Sequence, residues 1–319
     1  MKIHMYGTRG SIPVPTDADI TTKEFGGNTT CVYLQGADGT HHILDAGTGI
    51  RKLGLRLMAE RPTPKAAIKA NLYFSHLHTD HTLGLPFFVP AYVPGNEIVV
   101  YGKVGTSGAT EMYHRNADKG TRMLLKGGPN GVQNALANQM HGTKGESFPL
   151  DLDKLVAVKP CEFTQTGKLL ETDALRVDTT KVRHPRDGCI SYKFTETAGD
   201  GNRKTFVYCT DIEIVPADYM KVIEWWKGAD VVIADGQYDP SHVSGSLSAY
   251  KAGWGHTDWE TDIGTAHAAG VKTLVLTHHD PMNDDDTLRR TEARAKARAA
   301  EIAPGLEVIL AREGATYTV

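Results

Sequence analysis

The sequence predicts a layered α/β protein, and three observations carry that prediction. Its opening third reads as short apolar strands separated by glycine-rich turns. Its later part alternates strand and helix signals. Several of those strands stop abruptly at an Asp or a His. The composition is that of an ordinary globular chain: 319 residues, 40% hydrophobic, 23% charged, formal net charge −3.

The first strands are read at residues 2–6, 30–34 and 42–44, with turns at 7–11 and 26–28. Residues 72–74 then run into Ser75-His76-Leu77-His78-Thr79-Asp80-His81. Residues 205–210 end at Asp211, 231–234 at Asp235 and 273–277 at His278. Strand ends in α/β layers are where side chains from neighbouring strands converge, so these residues are expected to form one cluster. Thr257 and Glu260 have the spacing of a capping box, and Gly270 is placed to end that helix. Asp284–Asp286 precede an Arg-rich run to Ala300, an acidic start and basic finish that suits a helix dipole. Trp225 and Trp226 read as the apolar face of another helix, and His267 as a structural residue within one. Residues 105–145 are glycine-rich with weak periodicity, a lid, an interface arm or a long connection within one domain spanning 1–319.

Several classes are excluded. No apolar stretch approaches the ~20 residues of a membrane helix, and MKIHMYGTRG lacks a signal-peptide core. The charge balance argues against a general nucleic-acid coat. Cys31, Cys161, Cys189 and Cys209 show no C-x-x-C spacing and read as free buried thiols in a reducing cytoplasm.

The segment His76-x-His78-x-Asp80-His81 is the most informative. Residues two apart on an extended loop point the same way, so His76 and His78 can share one ion. Imidazole and carboxylate without thiolate suit zinc, manganese or iron. With this motif the chain resembles the metallo-β-lactamase superfamily, whose hallmark is H-x-H-x-D-H. The likeness continues through Leu44-Asp45-Ala46-Gly47-Thr48-Gly49, His184, Asp211 and His278. It implies a four-layer αββα sandwich and two divalent ions, zinc first and manganese second. One ion would be held by His76, His78 and His184, the other by Asp80, His81 and His278, with Asp211 bridging. His279 is the rival for the last ligand, and Asp45 is expected to orient a ligand histidine.

Within the superfamily the chain is most similar to the phosphodiesterase branch that includes tRNase Z and cyclic-nucleotide phosphodiesterases. Ala234-Asp235-Gly236-Gln237 and Gly255-His256-Thr257-Asp258 look like that branch's acidic strand end and its Gly-His segment. The resemblance implies that His256, held by Asp235, protonates the leaving alkoxide, with Asp80 and Asp211 also in the catalytic set. The short interval between His184 and Asp211 has room for a strand, a turn at 198–202 and another strand, but not for the tRNA-gripping arm of bacterial tRNase Z. A small phosphodiester is therefore expected, a cyclic nucleotide first, and extended nucleic acid and membranes are not. The alternatives are a lactone, thioester, sulfate ester or organophosphate hydrolase, a tRNA 3′-processing enzyme, and a non-catalytic metal-binding scaffold. A homodimer is a family-level expectation. Arg9, Arg183 and Arg186 are candidates to meet a phosphate, though each taken singly reads as a solvated surface residue, and Tyr238 and His242 read as pocket or loop-packing residues.

Overall fold

Period-two burial along two sets of strands builds the molecule. The computed structural model describes residues 1–36, 39–103, 113–115, 122–124, 131–140, 148–163, 165–185, 188–198, 201–244 and 251–319. One seven-stranded sheet has the order Thr316–Thr318, Lys2–Gly7, Cys31–Gln35, His41–Leu44, Lys69–Tyr73, Glu97–Lys103, Val158–Phe163. The other runs Glu307–Leu310, Thr273–Thr277, Val231–Asp235, Arg203–Cys209, Cys189–Thr197, Leu175–Val182, Gly167–Glu171.

Alternate side chains of each sheet enter different cores. Ile3, Met5, Val32, Leu44 and Tyr73 meet Phe194, Phe206, Tyr208, Ile233 and Val275 between the sheets. On the outer face of the first sheet, Tyr33, Ile43 and Leu72 pack against Leu53 and Leu57 of the helix Ile50–Ala59. On the outer face of the second, Val207, Val232 and Leu274 pack with Trp226, Ile263 and Ala295. Those three residues come from the helices Tyr219–Trp226, Trp259–Ala268 and Asp285–Ile302. Three cores between four layers make the αββα sandwich. Among the described residues no helix is long and apolar enough to cross a membrane.

Some local readings change. The cap of the helix Trp259–Ala268 is Asp258, whose carboxylate accepts the Glu260 and Thr261 N–H groups, and not Thr257. Thr257 instead donates its hydroxyl to Ile212 O and accepts from Ile214 N, tying this helix start to the loop after Asp211. Cys161 is exposed, while the other three cysteines are buried. His267 lies exposed in the last helical turn. Between 105 and 145, the helix Val132–Gln139 buries Val132 and Leu136 in the first sheet's outer core. Its Gln139 amide donates to Thr82 O, beside His81. The short strands Tyr113–Arg115 and Arg122–Leu124 pair. The remainder of that segment, and with it the lid reading, lies outside the described residues.

The C-terminal strands are locked by Glu292. Burial alone would raise its carboxyl, but the Arg312 guanidinium at 2.8 Å, the Leu310 N–H and Lys296 pull it down to about 2. A carboxyl depressed in the folded state stabilises above its ordinary value near 4.5, and that contribution disappears as pH falls towards 2. Between those pH values, thermal melts of the native chain should lose midpoint faster than melts of Glu292→Gln. Parallel curves would contradict this.

Candidate metal centre

The candidate residues collect at the C-terminal ends of the central strands. His41–Leu44 delivers Asp45, Lys69–Tyr73 delivers the His76 loop, and Leu175–Val182 delivers His184. Arg203–Cys209, Val231–Asp235 and Thr273–Thr277 deliver Asp211, Asp235 and His278. Asp45, Asp211 and His278 each turn out of the strand with positive φ, at 60°, 52° and 61°, as does Ser11 at 64°. Such backbone costs about 1–3 kcal/mol per residue and survives where the surroundings enforce it. Here it turns Asp211 and His278 into the cluster and Asp45 onto the back of the His81 ring.

Asp211 stands at the centre of the cluster, 2% exposed. Its Oδ2 faces His76 Nε2 at 3.6 Å and His184 Nε2 at 3.8 Å. Its Oδ1 faces His81 Nε2 and His278 Nε2, both at 3.3 Å. His78 Nδ1 lies 3.3 Å from His184 Nε2, on the first side. Asp80 Oδ2 lies 3.2 Å from His81 Nε2 and 3.1 Å from His278 Nε2, on the second. The structure thus brings His76, His78 and His184 to one side of a single carboxylate, and Asp80, His81 and His278 to the other.

Three of these rings, His81, His184 and His278, are held from behind. Asp45 accepts His81 Nδ1 at 2.8 Å, the Tyr208 hydroxyl at 2.7 Å, and both the N–H and hydroxyl of Ser75. His184 donates Nδ1–H to Gly255 O at 2.8 Å, and His278 Nδ1 faces the Gln237 amide oxygen at 3.1 Å. Asp80 Oδ2 accepts the Ser11 N–H at 2.8 Å. These partners fix the imidazoles so that Nε2 of His81, His184 and His278 points inward.

The donor set fits divalent cations. Nε2 of His76 and of His81 is buried and makes no hydrogen bond, a costly state for an imidazole nitrogen with nothing to bind. Five imidazoles and two carboxylates are ligands for zinc or manganese. Charge is arranged the same way. Burial would lower His81 and His278, but Asp80 and Asp211 reverse this, raising His81 well above its ordinary value and His278 to about 9. Burial and neighbouring imidazoles hold His76 and His78 low. Asp80 and Asp211 stay ionised well below the usual carboxylate range, because the facing imidazoles outweigh burial. Positive charge is wanted between these carboxylates, and a bound cation would supply it with release of protons.

His256 stands beside the cluster. Its Nδ1 donates to Asp235 Oδ2 at 2.6 Å, and its ring stacks on His278 at 5.0 Å between centroids. Asp235 is fully buried, and its other oxygen accepts the Gln237 N–H. Tyr238 is buried and meets His256 edge-on at 5.4 Å, whereas His242 closes a capping box with Asp239. His279 turns away from the cluster, bonding Ala311 O and packing on Phe25.

The arginines correct the surface reading in one case. Arg9 is fully buried, donating to Gly26 O, Asp280 O and Asn283 O. Arg183 is exposed and pairs with Asp218 at 2.6 Å. Arg186 lies outside the described residues. Sequence reading missed Ser11, Ser75, Tyr208 and Gln237, whose partners are distant in sequence. Gly10 is also unread. A Cβ built there falls 2.4 Å from His278 Cε1. Gly10→Ala is therefore expected to displace this imidazole and weaken metal affinity about 10–100-fold with the fold retained, as orienting contacts do elsewhere. Competition with a chromophoric chelator, beside circular dichroism, measures it.

Residues 41–279 match the family model of the beta-lactamase superfamily domain. The chain belongs to that superfamily. It is a metal-dependent hydrolase of the metallo-β-lactamase fold. Curated relatives include ribonuclease Z of Methanosarcina mazei, 24% identical, with 90% of each chain covered. Ribonuclease Z of Thermoplasma acidophilum is 25% identical over 92% of this chain and 91% of the relative. Among solved structures, Zn²⁺-bound PqqB from Methylobacterium extorquens superimposes with TM-score 0.65 and 16% identity, with 100% of both chains covered. A diphosphatase of the PhnP family gives 0.62 and 15%, covering 100% of this chain and 97% of the other. At these identities the superpositions establish the fold of this superfamily member.

Proposed function

We propose that this superfamily member is a dinuclear phosphodiesterase of small phosphodiesters, with cyclic 3′,5′-nucleotides as the first candidate substrates. The observation that carries the reading is the buried His256–Asp235 pair standing beside a carboxylate shared by two histidine groups. His76, His78 and His184 would hold one cation, Asp80, His81 and His278 the other, and Asp211 both, with zinc first and manganese second. Two bound cations would supply Lewis acidity to the phosphoryl oxygens and activate water near neutral pH.

The chain's own groups do the rest. Asp45, Gly255 and Gln237 fix the imidazoles that position the cations. Asp80 and Asp211 keep negative charge between those imidazoles and orient the attacking water. His256, held in one tautomer by Asp235, delivers a proton from Nε2 to the departing alkoxide oxygen.

A second reading is ribonuclease Z activity, favoured by the two curated relatives that bear this name. The interval between His184 and Asp211 speaks for the small substrate, because Cys189–Thr197 and Arg203–Cys209 fill it as a paired hairpin. Three buried free thiols fit a reducing cytoplasm. Homodimerisation rests on the family resemblance alone.

The test is hydrolysis by metal-loaded protein of 3′,5′- and 2′,3′-cyclic nucleotides, a nitrophenyl diester and precursor tRNA, with His76→Ala/His78→Ala as control. Selective turnover of cyclic nucleotides supports the first reading, and cleavage of precursor tRNA transfers support to the second. Silence on every diester with metal bound overturns both.

A further inference from the structure

Three loops meet at the mouth of the cluster, and each carries a large apolar side chain into solvent. Ile12 is 56% exposed, Trp254 63% and Met282 83%. Single exposed apolar residues are ordinary on protein surfaces, but convergence around one site is not. The contacts that bring these together are specific. Ser11, next to Ile12, donates its N–H to Asp80, and Gly10 lies against the His278 ring. Arg9 donates to Asp280 O and Asn283 O, so the Met282 loop lies against the Ile12 loop. Lys251 pairs with Asp280 at 2.9 Å, and Trp254 N–H bonds Lys251 O, so the third loop joins the second. Gly255, next to Trp254, accepts from His184.

Among the described residues, three cations that flank the cluster are already engaged. Arg9 is buried, Lys251 pairs with Asp280 while its ammonium lies over the Tyr238 ring at 4.6 Å, and Arg183, beside His184, holds Asp218. A polyanion tracked along this mouth would need free cations to meet successive phosphates. An uncharged aromatic or alkyl group needs apolar area, and a solvent-facing indole supplies it at low entropic cost.

We propose that Ile12, Trp254 and Met282 form an apolar rim that receives the uncharged organic ester group of the substrate while its phosphate sits at the His/Asp cluster. This rests on the phosphodiester reading and names which part of the diester the chain selects. Aromatic esters are the better fit, because Trp254 is the largest surface on the rim.

Binding tests it without requiring turnover. Calorimetry on zinc-loaded protein would compare diphenyl phosphate with dimethyl phosphate, which share one anionic phosphodiester and differ only in apolar area. The expected result is at least tenfold tighter binding of diphenyl phosphate, a preference lost in Trp254→Ala/Met282→Ala with bound zinc unchanged. Equal affinities in the native chain, or a preference that survives in the variant, overturn the rim. Failure of the phosphodiesterase reading registers separately, as absence of hydrolysis in the substrate panel, and leaves this binding comparison readable.

Discussion

Asp211→Asn is expected to lower kcat/KM for any hydrolysed diester by at least a thousandfold and to reduce tightly bound metal per chain. The loss corresponds to about 4 kcal/mol of transition-state stabilisation. Asparagine keeps the shape and tolerates the left-handed backbone found at this position, φ 52°, so the strand end survives. What disappears is the charge. One carboxylate faces His76 and His184 through Oδ2 and His81 and His278 through Oδ1. No other acidic group among the described residues faces both histidine groups. An amide presents one oxygen and one N–H donor, so at least one side would meet a donor where a cation should sit. Elemental analysis after gel filtration, beside the rate, measures both consequences. Full metal content with full activity would remove Asp211 from its central role.

The extent to which this site was legible follows from how local each signal is. His76, His78, Asp80 and His81 are contiguous, so their pattern survives without any knowledge of the fold. Asp211, Asp235 and His278 were readable because each terminates an apolar run, and those runs became adjacent parallel strands. Arg9 defeated the same reasoning. Its partners are carbonyls at 26, 280 and 283, so nothing near it in sequence announces burial. Gln237 and Ser11 were missed for the same reason: each acts on a ligand contributed by a different strand end. The cap of the Trp259–Ala268 helix moved from Thr257 to Asp258 because the threonine hydroxyl is taken by the loop after Asp211. Edge strands such as Val158–Phe163, in which no side chain is fully buried, left no apolar pattern to find.

His256 presents the sharpest choice between two roles, and its removal decides between them. Its ligand atom lies within 4.8 Å of those of Asp211 and His278, close enough for a metal ligand. Yet its Nδ1 is committed to Asp235 at 2.6 Å, and six other histidine and carboxylate side chains already surround Asp211. As a proton donor it matters in proportion to how badly the leaving group needs a proton. His256→Ala should therefore retain metal while kcat for an alkoxide-releasing diester, such as a 3′,5′-cyclic nucleotide, falls by about 10²–10⁴. For a nitrophenyl diester the fall should be several-fold at most, because nitrophenolate departs without protonation. Asp235→Ala should reproduce the same dependence on leaving group, more weakly, since it frees the ring without removing it. Equal losses on both substrates together with lost metal would make His256 a ligand instead, and would return the leaving-group proton to solvent water.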